Sequence, residues 1–351
     1  MKARGSRRPR QADIARLAGV SQTTVSLVLN GQSGDLTRIP EATRTRIIEL
    51  AHSLGYVANP MARSLAGGRS ELIGLYTFES VFPVDHHNFY HPFLVGIESA
   101  AEQRGYDVLL FTSATGGDGE RSIYRNGVNR LQLADGCVLL GKEMDYKTIA
   151  RLRDDGYHFV LIGRREIPGG GVTYVTAAYR DATRQVMEHL HGLGHRRIAY
   201  LPAAMASEPA DDRDAGFRDA VDELGLPTGL TCPVEPAGPQ VEQVRALVDA
   251  GATAFVCHES VVALRTVDLF ADLGLRVPED VSVAALNDPP DGAAGPALTC
   301  FRIPRREMGQ QAVELLVRQM TSEQDVQPQA LTLPCVLVLG ETSGAPRQEM
   351  Q

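Results

Sequence analysis

The twenty residues from Gln11 to Asn30, QADIARLAGVSQTTVSLVLN, restrict the fold of this chain more than any other stretch. Read at the helical period, they give two short helices joined by a glycine turn, the shape of a DNA-reading helix-turn-helix. Asp13 is suited to N-cap the first helix, and Ile14, Leu17 and Ala18 fall on one face of it. Gly19 can end that helix at positive φ, because it has no Cβ to clash. Ser21 then caps a second helix, in which Val25, Val28 and Leu29 sit at i, i+3 and i+4. With that face pinned, Gln22 and Thr23 stay at the exposed N-terminal end, the part of a recognition helix that meets base edges. An ordinary helix pair in a small bundle shares this periodicity, so the surroundings have to decide.

The charge distribution does so. The 351 residues carry a net charge of −8, yet residues 1–69 hold 11 Lys/Arg against 4 Asp/Glu and the remainder 24 against 39. A basic head on an acidic body points to nucleic acid bound by the head alone, with the body repelled by DNA. The arm Lys2, Arg4, Arg7, Arg8 and Arg10 adds sequence-independent, salt-sensitive phosphate affinity, whether or not it is ordered. There is no run of about 18 apolar residues to span a membrane, and the basic N-terminus leads into no apolar export segment. Five scattered cysteines form no CxxC pair and read as reduced thiols of a cytoplasmic protein near the nucleoid. No dinucleotide, phosphate-loop or nucleophile-elbow motif occurs, so neither an enzyme nor a cofactor is expected.

Further along, residues 31–39 form a polar loop, and Pro40 suits the first turn of a third helix with Ile47, Ile48, Ala51 and Leu54 on its apolar side. Gly55 ends it. Asn59 and Pro60 can start a short helix bearing Leu65 in a segment that is either a plain linker or a hinge. As a hinge ordered on DNA, it would offer Leu65 as an apolar wedge for the minor groove. From Glu71 onward, strands expected at 72–77, 106–111, 136–140, 159–162, 197–201, 254–257 and 281–286 alternate with amphipathic helices. Helices are expected at 93–104, 180–193, 214–224, 241–250, 260–273 and 305–320. This is a parallel α/β pattern too long for one five-stranded sheet, and two doubly wound lobes facing a cleft fit it. The expected division is an arm (1–10), a DNA-binding domain (11–57), a hinge (58–70), a body (71–343) and a tail (344–351).

The order of parts resembles the lactose-repressor (LacI/GalR) family of transcription regulators. The head carries most of the likeness, in DIARLAGVSQTTVSLVLNG, the ATR of the third helix, LGY and NPMARSLA. The body adds GIE at 96–98, HLHGLGHRRIAYL, the Arg213-x-x-Gly216-Phe217 group, LGLRVPEDVSV and ALTCFRI. The resemblance implies a small all-α helix-turn-helix head, a hinge helix and a two-lobed α/β body of periplasmic-binding-protein type, with two doubly wound parallel sheets. By similarity one lobe takes about 71–193 and 302–332, and the other about 194–301 and 333–343. It further implies a homodimer formed through the body, a pseudo-palindromic double-stranded operator, and a small-molecule effector held between the lobes. The tail has no leucine heptad, so a dimer is the expected assembly.

The motif match assigns base reading to Gln22, Thr23 and Leu27, of which Gln22 can pair bidentately with adenine and Thr23 can meet a thymine methyl. Leu27 donates no hydrogen bond, and its target base does not carry over from relatives. Ser21, Thr24, Asn30 and Thr43 are candidate phosphate ligands or, equally, caps. Ala62 and Arg63 would approach the minor groove, beside paired Leu65 wedges. In the cleft, Arg213 is the leading candidate, since its guanidinium forks onto hydroxyls or a carboxylate; the alternative is an ion pair with Asp211, Asp212 or Asp214. Asp181, His258, Glu259, Asn287 and Asp288 supply further polarity by resemblance. With no tryptophan in the chain, stacking falls to Phe78, Phe82, Phe89, Tyr90 or Tyr179, which serve equally well as core. A sugar or glycoside is the expected effector, with a nucleoside, purine or acidic metabolite as alternatives. Asp85, His86, His87 and His91 at the lip read as a polar lid or, less readily, a metal site. The body would also suit a transport solute-binding protein, but a basic helix-turn-helix without an export signal argues against it.

Overall fold

The computed structural model describes residues 9–30, 39–56, 69–78, 89–112, 121–141, 145–205, 207–235, 238–290, 292–324 and 326–347, with Asn30 by its backbone. These form two compact units, one reaching from the N-terminus to Leu72 with Leu133–Asp135, the other taking Ile73–Gln132 and Gly136–Gln351.

In the first unit, α1 (Gln11–Ala18), α2 (Gln22–Asn30) and α3 (Glu41–Ser53) pack on one another. Helix α1 begins three residues earlier than expected, with Arg10 at its N-cap. Asp13 stands in its first turn and its carboxylate reaches back to accept from the Arg10 amide at 3.0 Å, rather than occupying the cap itself. Gly19 ends the helix at φ +68°. Ser21 caps α2 as expected, its hydroxyl accepting from the Thr24 amide at 3.1 Å. Ile14, Ala15, Ala18, Val25, Ile47 and Ala51 make the small core. Leu17 and Ile48, expected on apolar faces, lie at the surface, because three short helices enclose only one narrow stripe each.

The second unit holds two sheets. In chain order its elements are β1 (Leu72–Thr77), α4 (His91–Gln103), β2 (Asp107–Phe111), the ribbon β3 (Tyr124–Arg125) and β4 (Val128–Asn129), β5 (Gly136–Leu140), α5 (Tyr146–Asp154), β6 (Phe159–Ile162) and β7 (Tyr174–Ala177). There follow α6 (Tyr179–Gly192), β8 (Ile198–Leu201), α7 (Glu208–Glu223), α8 (Val241–Asp249), β9 (Ala254–Cys257), α9 (Ser260–Asp272), β10 (Ser282–Ala285), β11 (Thr299–Arg302), α10 (Arg305–Thr321), β12 (Ala330–Leu333) and β13 (Val336–Val338). One sheet has the order β12-β7-β6-β5-β1-β2, the other β13-β11-β10-β9-β8. The pairings are parallel from β1 through β5, β6 and β7 to β12, and from β8 through β9 and β10 to β11; the edge strand β13 pairs antiparallel with β11, as β3 does with β4 in the ribbon.

Both faces of each sheet are covered, which is why the central strands read as apolar runs. In β5, Val138 and Leu140 enter one core while Cys137 and Leu139 enter another, as the two-residue period requires. The first sheet is covered by α4 and α10 on one face and α5 on the other. The core beneath α4 and α10 runs on, through α6 and α7, to one face of the second sheet.

The chain passes between the sheets three times, and the first passage differs from expectation. Helix α6 was expected to stay with the first lobe to residue 193, yet it packs against β11, β13 and α7. The passage therefore falls at Ala178, directly after β7. A strand followed by an amphipathic helix looks the same whether that helix returns to its own sheet or covers the next. The two later passages follow β11 and β12. Helices α6 and α7 touch backbone to backbone: a Cβ on Gly216 would lie 2.3 Å from the Arg180 carbonyl oxygen, so only glycine permits this crossing.

His195, between α6 and β8, ties three segments together. Its Nε2 donates to the Gly344 carbonyl at 2.8 Å, while Nδ1 meets the Thr253 hydroxyl at 2.9 Å. Because the carbonyl can only accept, the neutral ring carries its proton on Nε2. Burial lowers the His195 pKa below its ordinary 6.5, with His189 and Arg196 adding a smaller repulsion. A group whose folded pKa is depressed contributes stability above its unfolded pKa and loses it as pH falls. The melting temperature is thus expected to drop as pH is lowered through 6.5. His195→Asn should melt lower at pH 8 but lose less on acidification; equal acid sensitivity in both proteins would remove His195 from the explanation.

Candidate functional site

The two units each hold one candidate site. In the head, Gln22 and Thr23 are exposed at the start of α2, as a recognition helix requires. Ser21 and Thr24 are tied to each other, their hydroxyls 2.8 Å apart, so the capping role is realised and one of the two O–H groups remains free to donate to a phosphate. Leu27 is half-buried one turn further on. The Arg46 guanidinium donates to the Leu17 carbonyl at 3.1 Å, pinning α3 to the C-terminal end of α1. Ala62, Arg63 and Leu65 lie outside the described residues, as do Phe82, Asp85, His86 and His87; among the described residues no cluster of metal-ligating side chains occurs.

In the body, parallel sheets carry their ligand-facing residues just beyond the C-terminal ends of the strands. The residues at those positions are Phe78 after β1, Arg164 and Arg165 after β6, and Tyr179 after β7 in the first sheet; in the second, His258 and Glu259 after β9, and Asn287 and Asp288 after β10. Arg213 lies among them, on the second turn of α7, only 6% exposed. Its Nε donates to the Leu286 carbonyl at 3.0 Å and one Nη to the Pro209 carbonyl at 3.3 Å. The guanidinium sits 4.4 Å from the centre of the Tyr179 ring and 5.9 Å from that of Phe301.

The alternative ion pairs for Arg213 are not formed. Asp212 binds Arg164 at 2.8 Å, Asp214 accepts from the Tyr200 hydroxyl at 2.6 Å, and among the described residues Arg213 has no carboxylate within ion-pair distance. Asp181 is exposed on α6 and Tyr179 takes the inward position instead. Two residues along a helix turn the side chain by about 200°, so both cannot face the cleft. Tyr90 is core beneath α4, packed edge-on to Phe89 at 5.4 Å. Phe89 itself is 37% exposed, with the Arg305 guanidinium 5.2 Å from its ring centre. Phe78 is half-buried against Tyr76.

Asn287 and Asp288 are committed to the protein's own backbone. The Asn287 side-chain oxygen accepts from the Ser260 amide at 2.6 Å, at the start of α9, whose N-cap position Glu259 occupies. Asp288 accepts from the Ile303 amide at 3.1 Å and pairs with Arg305, so it braces the passage from β11 to α10. His258 is buried at the end of β9, its amide donating to the Leu201 carbonyl.

Sequence reasoning missed the residues that join the lobes. Glu208, at the start of α7 and 7% exposed, accepts from the Tyr146 hydroxyl of α5 at 2.9 Å and the Glu166 amide at 3.3 Å, and lies 3.7 Å from Arg165. Burial and the Glu208 carboxylate both raise the Tyr146 pKa, keeping its hydroxyl a donor. Arg164 bridges to Asp212 in the same way. Two adjacent arginines one glycine beyond the wholly apolar β6 were the available signal, because a buried parallel strand delivers such residues to the cleft.

Known proteins carry the same two parts. The family description "Bacterial regulatory proteins, lacI family" matches residues 12–59, and "Periplasmic binding protein-like domain" matches residues 187–343. The transcriptional regulator MalR of Streptomyces coelicolor is 32% identical, over 96% of this chain and 97% of its own length. The regulator CelR of Thermobifida fusca is 30% identical, over 96% and 98%. Among solved structures, the lac repressor dimer bound to operator and the anti-inducer ONPF superposes with a TM-score of 0.73 at 26% identity, covering 97% of this chain and all of that one. The CelR–cellobiose complex gives 0.64 at 27% identity, covering 95% and all of it. A helix-turn-helix head with an exposed reading end, followed by two parallel sheets around a buried arginine, places this chain in the lacI family of bacterial regulatory proteins.

Proposed function

We propose that the chain is a cytoplasmic transcriptional repressor, working as a homodimer on a pseudo-palindromic operator and released or engaged by a sugar or glycoside held between its two sheets. The observation that carries this reading is Arg213: a buried guanidinium, stacked on Tyr179, in the same chain as the exposed Gln22–Thr23 end of a recognition helix. The relatives' names support the effector class, since CelR is described in complex with cellobiose. The cleft acts by binding alone. An effector that prefers one arrangement of the lobes shifts the population toward it, and the heads' affinity for DNA follows.

Gln22 and Thr23 read bases, Ser21, Thr24 and Asn30 approach phosphates, and Ala62, Arg63 and Leu65 meet the minor groove. The test selects an operator from random DNA and titrates it by fluorescence anisotropy with and without cellobiose, maltose and their monomers. A tenfold change in operator affinity is expected, equal to about 1.4 kcal/mol of coupling. Gln22→Ala and Leu65→Ala should lose specific binding and keep the non-specific, salt-sensitive part. Operator binding that no sugar alters, but a nucleoside does, would replace the sugar reading with its alternative.

A further inference from the structure

The chain enters its first sheet through a conformation that L-amino acids rarely adopt. Glu71, directly before β1, has φ +59°, in the left-handed region where a Cβ crowds the following carbonyl oxygen. Such a conformation persists only where its surroundings over-determine it, and here a single carboxylate does so. Asp135 Oδ1 accepts from the Ser70 amide at 2.7 Å and from the Ser70 hydroxyl at 2.8 Å, and Oδ2 accepts from the Glu71 amide at 2.9 Å. Two successive amides turned to one side make a concave site for an anion, which the chain fills with its own aspartate. The Asp135 amide donates in return to the Leu72 carbonyl at 2.9 Å, and the Leu72 amide donates to the Ser70 hydroxyl at 3.3 Å. All these bonds lie within the first compact unit. They clasp three consecutive residues where the chain arriving from the head becomes β1, and those to the carboxylate are of the strong, charge-assisted kind.

Asp135 is itself the residue before β5, and β5 pairs with β1 from Ile73 and Gly136 onward. The clasp therefore sits at the N-terminal end of both strands, away from their ligand-facing ends. At the other end of β5, about 17 Å away by the rise of a parallel strand, the Gly141 carbonyl accepts from the Arg165 guanidinium at 2.6 Å. Arg165 is the partner of Glu208 where the lobes join, so one buried strand runs from that junction to the clasp. We propose that Asp135 is a positioning residue for DNA binding: its carboxylate fixes the direction from which the head's chain joins β1, so that the two heads of a dimer are presented at one spacing. The inference rests on the reading of this chain as a dimeric repressor. Asp135 acts through Ser70 and Glu71 and not by contact with DNA. Without it Glu71 relaxes to negative φ, the chain before it swings, and the second half-site is met at a lower effective concentration.

The test compares the full-length parent with Asp135→Asn by fluorescence anisotropy. The probes are the selected operator, one isolated half-site, and operators with base pairs inserted between the half-sites. Asparagine keeps one acceptor oxygen but turns an NH₂ group toward the remaining donor, so the clasp opens. Half-site affinity is expected to stay at the parent's value, because the reading end of α2 is untouched. Affinity for the whole operator should fall by about tenfold or more, and the penalty for inserted base pairs should shrink. Hydrogen exchange at the Ser70 and Glu71 amides should speed up in the same variant. Ser70→Ala keeps the carboxylate and both amide bonds, so its loss should be smaller and in the same direction; it carries the test if Asp135→Asn does not fold. Faster exchange with an unchanged ratio of whole-operator to half-site affinity overturns the proposal, since the clasp would then hold the fold and nothing more. A half-site affinity that falls as far as the whole operator's overturns it too. A parent that binds no operator of two half-sites removes the repressor reading and this inference with it. A parent that does bind one, with Asp135→Asn indistinguishable from it, removes this inference alone.

Discussion

Replacing Ile47 with alanine is expected to abolish operator binding while leaving the thermal transition of the body where it was. Ile47 is fully buried where α1, α2 and α3 meet, in a core of six residues that includes three alanines. An Ile→Ala change in such a site costs about 2–5 kcal/mol, from lost transfer energy and the cavity left behind. A three-helix domain this small has about that much stability in total. The variant head would therefore be largely unfolded, and the Gln22–Thr23 end would no longer be held for the major groove. Ile48 is the internal control, since it is 46% exposed and its truncation should change stability by no more than about 0.5 kcal/mol. Because head and body are separate compact units, calorimetry should show one transition lost and the other kept. Operator affinity of Ile47→Ala within threefold of the parent would mean that the head draws its stability from elsewhere.

That contrast between neighbours also marks how far the sequence could be read. Ile47 and Ile48 are the same residue type on one helix, and only the packing partner distinguishes them. The strands β1, β5, β6, β9 and β10 were legible because burial on both faces makes them continuous apolar runs between turn signals. The edge strands β12 and β13 were not, since they are largely exposed and carry mixed residues. Helix α5 was missed because only Ile149 and Leu152 of its nine residues are buried. For the site, residue type was readable and partnership was not. Arg213 stood out as a guanidinium in a recurring group, but its escape from three neighbouring aspartates depends on Arg164 and Tyr200 holding two of them. Asp288 was visible as polar, yet its bond to Arg305 spans 17 residues and an inter-lobe passage that no periodicity announces. Asp181 lies exposed on α6 for a simpler reason: Tyr179 takes the inward position and fixes the phase of the helix.

Glu208→Gln is expected to spread the two lobes apart. Glutamine keeps the shape and can still accept from Tyr146 and the Glu166 amide, so the change removes charge and little else. What it leaves is Arg165, 7% exposed in the closed cleft with its counter-charge gone. Breaking a buried ion pair in this way costs about 3–5 kcal/mol. Parting the lobes returns Arg165 to water and avoids that cost, so it falls on the closed arrangement. At about 1.4 kcal/mol per factor of ten, the closed-to-open ratio should drop a hundredfold or more. Small-angle scattering should report a larger radius of gyration, and fluorescent labels on either side of the cleft should move apart. Asp212→Asn is the comparison: its pair with Arg164 is more exposed and worth about 1 kcal/mol at most, so any opening should be far smaller. Adding Arg165→Met to Glu208→Gln removes the stranded charge as well, and the double variant should close again. If Glu208→Gln scattered like the parent, the Glu208 network would be packing at the cleft mouth and not the latch that holds the lobes together.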